Sequence, residues 1–351
     1  MKKYINLEDM INQNCSNVLD VIRENVCISR KQITELTGLS WGGMTKIVNK
    51  LLEHGYIIEE KFDSQSKIGR VPGVLRINKQ KNFVIGLDIN KIGFRAVVMN
   101  LAGEVLKEYS SKGALNNKAE ILDEIIRFIS SIFDDFQAGS IISIGVAMQG
   151  IVDSKQGISV KFPDVYDWND VPIKSILEDR FHVNVFVEHD PDCLLYPYIN
   201  SDKENILLLR LDNSIGMSVS LGGRVLKTKG IFEVSHNIVV PGGKKCACGL
   251  SGCIEAYILP CLASGEISSK ALDELMPILA VVIKNMTDLF NTDKVILTGD
   301  LVKYHGMFES ELLKKLSDIN CSVRVEFSKD NSAVLGAALI SVRKSISKII
   351  I

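Results

Sequence analysis

Three of the chain's eight cysteines, Cys246, Cys248 and Cys253, fall within eight residues, and His236 stands ten positions before the first of them. One imidazole and three thiolates make a donor set suited to a closed, tetrahedral Zn2+ site. Satisfying that set forces residues 236–253 to fold back on themselves, and Gly242, Gly243, Gly249 and Gly252 give the backbone freedom to do so. With His236 as fourth ligand no position is left for a water. The expectation is therefore a structural zinc that fixes a loop and contributes folding energy, not a hydrolytic one. Cys15, Cys27, Cys193, Cys261 and Cys321 are scattered and imply no disulfide framework.

Hydrophobic residues make up 46% of the chain and charged residues 24%, which excludes a disordered protein. No apolar run is long enough to span a bilayer. Met1-Lys-Lys-Tyr-Ile5 passes straight into polar residues, without the apolar stretch of a signal peptide. No membrane partner and a cytoplasmic location are expected. The net charge of −1 hides an asymmetry: residues 1–80 hold 12 basic and 9 acidic side chains, so the remainder is acidic. A basic head on an acidic body fits a nucleic-acid-binding unit joined to something else.

That head reads as three helices and two strands. Ser16 is placed to cap a helix carrying Val18, Leu19, Val21 and Ile22. Ser29 with Gln32 has the form of a capping box for a short second helix ended by Thr37-Gly38. Ser40 opens a third, with Met44, Ile47, Val48, Leu51 and Leu52 on one face and His54-Gly55 as its stop. Residues 56–62 and 74–77 read as strands flanking a polar wing, 63–70. The whole predicts a winged helix-turn-helix, whose third helix enters the major groove. Its polar face presents Trp41, Gly42, Thr45, Lys46 and Asn49 beyond Ser40. Asn pairs two-fold with adenine and Lys with guanine; Ser29, Arg30, Lys67 and Arg70 suit phosphates. Gly42 and Gly43 each cost about 1 kcal/mol in a helix, which predicts a helix start that orders on DNA.

Beyond residue 80, strands are expected at 83–89, 94–99, 105–109, 141–147 and 183–187, with an amphipathic helix carrying Ile121, Leu122, Ile125, Ile126, Ile129 and Phe133. A second set begins at 205–211 and 216–221, continues at 294–299 and ends in a helix over 333–347. Strands, a hairpin, then alternating helix and strand, occurring twice, predict two α/β lobes around a cleft.

The winged helix, Glu233-Val-Ser-His236 and Cys246-Ala-Cys-Gly-Leu-Ser-Gly-Cys-Ile-Glu255 together resemble the ROK family of repressors and sugar kinases, most of all its branch of sugar-responsive repressors. Leu39-Ser40, Gly69-Arg-Val-Pro72, Gly150-Ile-Val-Asp153, Glu188-His-Asp190 and Gly336-Ala-Ala-Leu339 fall in the family's order. The resemblance implies an α/β chain: an N-terminal winged helix-turn-helix, then a two-lobed actin-like (ribonuclease H-like) body of the ATPase type with a structural zinc loop. The implied domains are 1–80, which binds DNA; 81–195, a small lobe completed by 333–351; and 196–332, a larger lobe with the zinc loop and the oligomerisation surface. The implied sugar contacts are Asp164, His189, Asp190, Glu233, His236 and Glu255, with Asp190 at the position of the kinases' catalytic base. Carboxylates and imidazoles converging in a cleft suit hydroxyls that both donate and accept.

In the family's kinases glycine-rich turns bring backbone N–H groups to the ATP phosphates. Here those turns read Asp88-Ile-Asn-Lys-Ile-Gly93, Asp212-Asn-Ser-Ile-Gly216 and Thr298-Gly-Asp-Leu301. Bulky or acidic side chains stand where bare backbone is needed, so no enzyme activity is expected. The reading is a homodimeric (or tetrameric) repressor that binds double-stranded operator DNA and releases it when a sugar or sugar phosphate enters the cleft. A sugar kinase with a DNA-binding head, and a repressor switched by a protein partner, are the alternatives.

Overall fold

Local signals set the first helices. The computed structural model describes residues 7–25, 27–60, 73–90, 92–112, 117–199, 204–212, 215–227, 232–262, 267–329 and 332–349. Its first part comprises α1 (Leu7–Glu24), β1 (Ile28–Ser29), α2 (Arg30–Thr37), α3 (Trp41–Glu53), β2 (Ile57–Glu60) and β3 (Val74–Ile77). The Gln32 backbone N–H donates to Ser29 Oγ at 3.3 Å and the Ser29 N–H to the Gln32 side chain at 3.0 Å, so the capping box forms as read. Gly38 closes α2 at φ +67°, a conformation that suits glycine. The Gly43 N–H donates to Ser40 Oγ at 3.2 Å. This cap closes the start of α3, which is helical from Trp41 onwards.

Ser16 departs from the expectation. It lies inside α1, which begins nine residues earlier, and its buried hydroxyl donates to the Arg343 carbonyl at 3.3 Å. A hydroxyl engaged by a distant segment is not available as a cap. Strand β1 was not foreseen; two residues carry no periodicity, and it exists because Ile28 pairs with Leu75. Order in this sheet is β1-β3-β2. Leu19, Ile22, Ile33, Met44, Val48, Leu51, Ile57 and Leu75 are at most 1% exposed, each large buried side chain contributing about 1.5–3 kcal/mol. The wing, with Lys67 and Arg70, lies outside the described residues.

The body continues through β4 (Phe83–Asn90), β5 (Gly93–Asn100), β6 (Val105–Lys112), α4 (Lys118–Asp134), β7 (Ile141–Met148), β8 (Ile151–Asp153), β9 (Ile158–Lys161), α5 (Ile173–Phe181), β10 (Asn184–His189) and α6 (Asp190–Leu195). It ends with β11 (Ile206–Leu211), β12 (Ile215–Leu221), β13 (Arg224–Val225), α7 (Glu255–Leu262), α8 (Ser269–Phe290), β14 (Lys294–Thr298), α9 (Glu309–Asp318), β15 (Arg324–Phe327) and α10 (Val334–Ile349). Two five-stranded sheets result, β6-β5-β4-β7-β10 and β13-β12-β11-β14-β15. In both, the first strand pairs antiparallel with the second and parallel with the fourth, β4 with β5 and β7, and β11 with β12 and β14. The expected duplication is thus present in the topology.

The chain divides into two compact units. One holds Met1–Met148, Ser154–Val187 and Ala337–Ile351; the other holds Gln149–Asp153 and Glu188–Gly336. In the first, α10 approaches β7 so closely that a Cβ on Gly145 would overlap the Ala337 carbonyl, and Ser143 and Ser341 share a buried hydrogen bond of 2.7 Å. In the second, Leu207, Leu208 and Leu209 of β11 are wholly buried, so the strand is covered on both faces and reads as an unbroken apolar run. Leu275, Leu279 and Ile283 of α8 pack into the same core. Pro260 and Pro277 stand inside α7 and α8, where proline ordinarily ends a helix; no helix is expected from the sequence in either stretch. Among the described residues no helix is long and apolar enough to cross a membrane.

Candidate functional site

The second unit builds the cysteine loop from tight turns. Cys246 and Leu250 exchange a backbone hydrogen bond of 3.0 Å, the Gly249 N–H reaches the Cys246 carbonyl at 3.0 Å, and the Gly252 N–H reaches the Lys244 carbonyl at 2.7 Å. Gly252 sits at φ +88°, and a Cβ there would overlap the Val240 carbonyl oxygen; only glycine fits. One ligand atom from each of His236, Cys246, Cys248 and Cys253 lies within 4.8 Å of the others. Cys246 Sγ is 3.7 Å from His236 Nδ1 and Cys248 Sγ is 3.6 Å from Cys253 Sγ. A tetrahedron with metal–sulfur bonds of about 2.3 Å has edges of about 3.8 Å, so the spacing fits a single ion. Burial, then the neighbouring Cys248 and Cys246 thiols, push the Cys253 thiol up to about 12, while the Leu250 backbone N–H draws Cys248 below its ordinary value. A cation among them would deprotonate all three. Glu255, at the start of α7, places Oε2 3.2 Å from His236 Nδ1 and 3.5 Å from Cys246 Sγ. Two residues read from the family as sugar contacts therefore meet at the metal cluster.

The other gathering point in this unit is the end of β10. His189 and Asp190 adjoin there, His189 Nε2 lying 3.4 Å from Asp190 Oδ1. Asp190 is only 4% exposed. Its other oxygen accepts from Arg210 Nη1, and Arg210 Nε donates to Asp212 Oδ2 at 2.6 Å. Asp212 then accepts the Asp300 backbone N–H at 2.5 Å. The second and third expected phosphate turns are thus joined through the chain's own carboxylate. Lys227 Nζ spans the buried Glu188 and Asp192 at 2.6 Å each. Burial draws the Lys227 ammonium down, but the Asp192 and Glu188 charges outweigh it and hold it above its ordinary value. Glu233 is exposed on the loop before His236, and Asp164 is exposed in the other unit at φ +61°. Arg210 and Lys227 escaped the sequence reading. Arg210 did leave a signal: it is one cation inside Ile-Leu-Leu-Leu-Arg-Leu211, and a charge in a buried strand requires a partner.

On α3, Trp41, Gly42, Lys46 and Asn49 are exposed and Thr45 is half-buried, all opposite the buried Met44, Ile47, Val48 and Leu51. Ser29 and Ser40 are spent as caps. Arg30 donates to Asn49 Oδ1 at 3.1 Å and to Glu59 Oε2 at 3.0 Å. That pins the guanidinium between α3 and β2.

A winged helix on a body of two like-ordered five-stranded α/β sheets defines a DNA-reading protein built on a sugar-kinase-type scaffold. Residues 84–259 match the ROK family and residues 16–58 the Winged helix-turn-helix DNA-binding family. The chain belongs to the ROK family. It is 25% identical to the xylose repressor of Bacillus subtilis (strain 168), over 86% of this chain and 85% of that one. It is 28% identical to the DNA-binding transcriptional dual regulator NagC of Escherichia coli (strain K12), over 76% and 66%. In fold it is similar to a ROK family transcriptional regulator homologous to E. coli Mlc, with TM-score 0.83, 21% identity and coverage of 96% and 97%. It is similar more distantly to a ROK family glucokinase from Streptomyces griseus, with TM-score 0.57, 18% identity and coverage of 74% and 99%.

Proposed function

We propose that the chain is a sugar-responsive transcriptional repressor without kinase activity. The observation that carries this is the union of a DNA-reading head with a body in which Asp212 occupies the Asp300 N–H and Arg210 spans Asp190 and Asp212. An N–H already bonded to a carboxylate has nothing to offer a phosphate, and a carboxylate paired to Arg is a poor base for a sugar hydroxyl. His189, Asp190, Glu233, His236 and Glu255, with Asp164 read from the sequence as a further contact, bind the sugar as hydrogen-bonding groups. His236, Cys246, Cys248 and Cys253 hold a structural Zn2+, whose chemistry is to tie the loop. Residues 1–80 form the reader, and two copies of it in a homodimer match two operator half-sites.

Coupling between sugar and DNA is reciprocal: whatever factor the sugar takes from operator affinity, the operator takes from sugar affinity. The test is fluorescence anisotropy on a selected operator, against a panel of sugars and sugar phosphates with ATP turnover followed in parallel. One compound is expected to weaken operator binding by roughly 5–150-fold. An affinity unchanged across the panel removes the small-molecule switch, and ATP-dependent phosphorylation of a sugar reinstates a kinase. Lys46→Ala is expected to cost about 1–3 kcal/mol of operator affinity and to relax specificity at one G·C pair per half-site; unchanged discrimination at every G·C pair places Lys46 off the bases.

A further inference from the structure

Gly42 is the residue of the reading helix that the protein's own interior does not explain. It lies in the first turn of α3, in ordinary helical conformation, and a Cβ added there would meet nothing within 4 Å. Neither a left-handed backbone nor a close neighbour requires glycine. Gly43 differs, because a Cβ on it would press on the Ser40 cap oxygen at 3.2 Å. Alanine at 42 would favour the helix, since glycine loses more backbone freedom on folding. The space that Gly42 leaves open is therefore clearance against something outside the chain.

Its neighbour indicates what that something is. Trp41 is 57% exposed, although its ring is the largest apolar side chain available to be buried. The turn Trp41-Gly-Gly-Met-Thr45 carries no charge, so it gains nothing by Coulomb attraction to phosphate. Thr45, one turn beyond Trp41, keeps a side-chain oxygen with no partner among the described residues. An uncharged, apolar tip at the entering end of a groove-reading helix matches the one apolar mark on the major-groove floor, the C5-methyl group of thymine.

Resting on the DNA-reading function, we propose that Trp41 reads thymine methyl groups in each operator half-site, and that Gly42 is glycine so that the helix comes close enough for the indole to touch them. The pair then sets specificity, not bulk affinity. Substitution at either position acts on the base step beneath it and leaves binding to unrelated duplexes unchanged.

The experiment uses the full chain. An operator is selected from a random duplex pool, and each thymine in it is replaced in turn by uracil, which removes the methyl and nothing else. The wild-type chain is expected to lose about five- to tenfold in affinity at one or two positions per half-site. Trp41→Ala is expected to bind the thymine operator as weakly as the wild type binds the uracil one, and to be indifferent to the same replacements. Gly42→Ala is expected to melt at the same or a higher temperature yet to bind the operator about tenfold more weakly, opposite signs that a folding role cannot give.

A Trp41→Ala chain that still senses the same uracils overturns the proposal. So does a wild type that senses none, a Trp41→Ala chain weakened equally on every duplex (the signature of a backbone contact), or a Gly42→Ala chain that binds as tightly as the wild type. In each of these cases the wild type still selects and binds a duplex, so the DNA-reading function stands. A wild-type chain that enriches no sequence and binds no duplex removes that function and this proposal together.

Discussion

Cys253→Ser is expected to lower the melting temperature by roughly 6–12 °C, which corresponds to a loss of about 3 kcal/mol at ~2–4 °C per kcal/mol for a body of this size. Cys253 is fully buried and is bracketed by the Gly252 turn, which no other residue can adopt. The proposed metal would cross-link residues 236–253 at four points, in addition to the backbone hydrogen bonds that fold the loop. Elemental analysis should find one zinc per wild-type chain and none in the variant. A chelator should lower the melting temperature of the wild type to that of Cys253→Ser and leave the variant where it is. Cys27→Ser, at an exposed cysteine outside the cluster, is the control and should change nothing. A metal-free wild type that melts with the variant in the absence of chelator ends the zinc assignment.

Arg210→Met is the second large effect. The substitution keeps the apolar stem and removes the guanidinium that both Asp190 and Asp212 bond. Both carboxylates are well buried, with side chains 6% and 16% exposed, so solvent screens them little. Removing one partner from such a group costs about 3–5 kcal/mol. Urea unfolding should show that loss, and the double variant Arg210→Met/Asp212→Asn should recover part of it, because one of the two carboxylates that lost the guanidinium has gone. If the single variant is as stable as the wild type, Arg210 does not hold the two carboxylates, and the account of the occupied phosphate turn fails with it.

These two sites were legible in the sequence to different degrees, and the reason is distance along the chain. The His236–Cys253 cluster spans 18 residues, and its gathering could be read from spacing alone, because four soft donors so close in the chain leave few alternatives. The capping box at Ser29 and the N-cap at Ser40 each act over three residues, and both are legible in the sequence. The carboxylate network is not local. Arg210 meets Asp190 from 20 residues away, Lys227 meets Glu188 from 39, and Asp300 meets Asp212 from 88. A sequence shows that Arg210 needs a partner but not which acid provides it. Ser16 failed as a cap for the same reason, its partner Arg343 lying 327 residues on.

What the chain order settled unaided was features whose cause lies within a turn or two: the second and third helices of the reader, the strands β4, β5, β6, β7, β10, β11, β12 and β14, and the spacing of the His236–Cys253 cluster. The tertiary structure alone decided which charges neutralise one another, because a buried ion's energy depends on what the fold sets within a few ångströms of it. It also decided that Pro260 and Pro277 do not end their helices, since packing of an apolar face outweighs the local penalty. That Asp212 meets the N–H of Asp300 is written in no local pattern; it follows from where β11 and β14 bring their ends together.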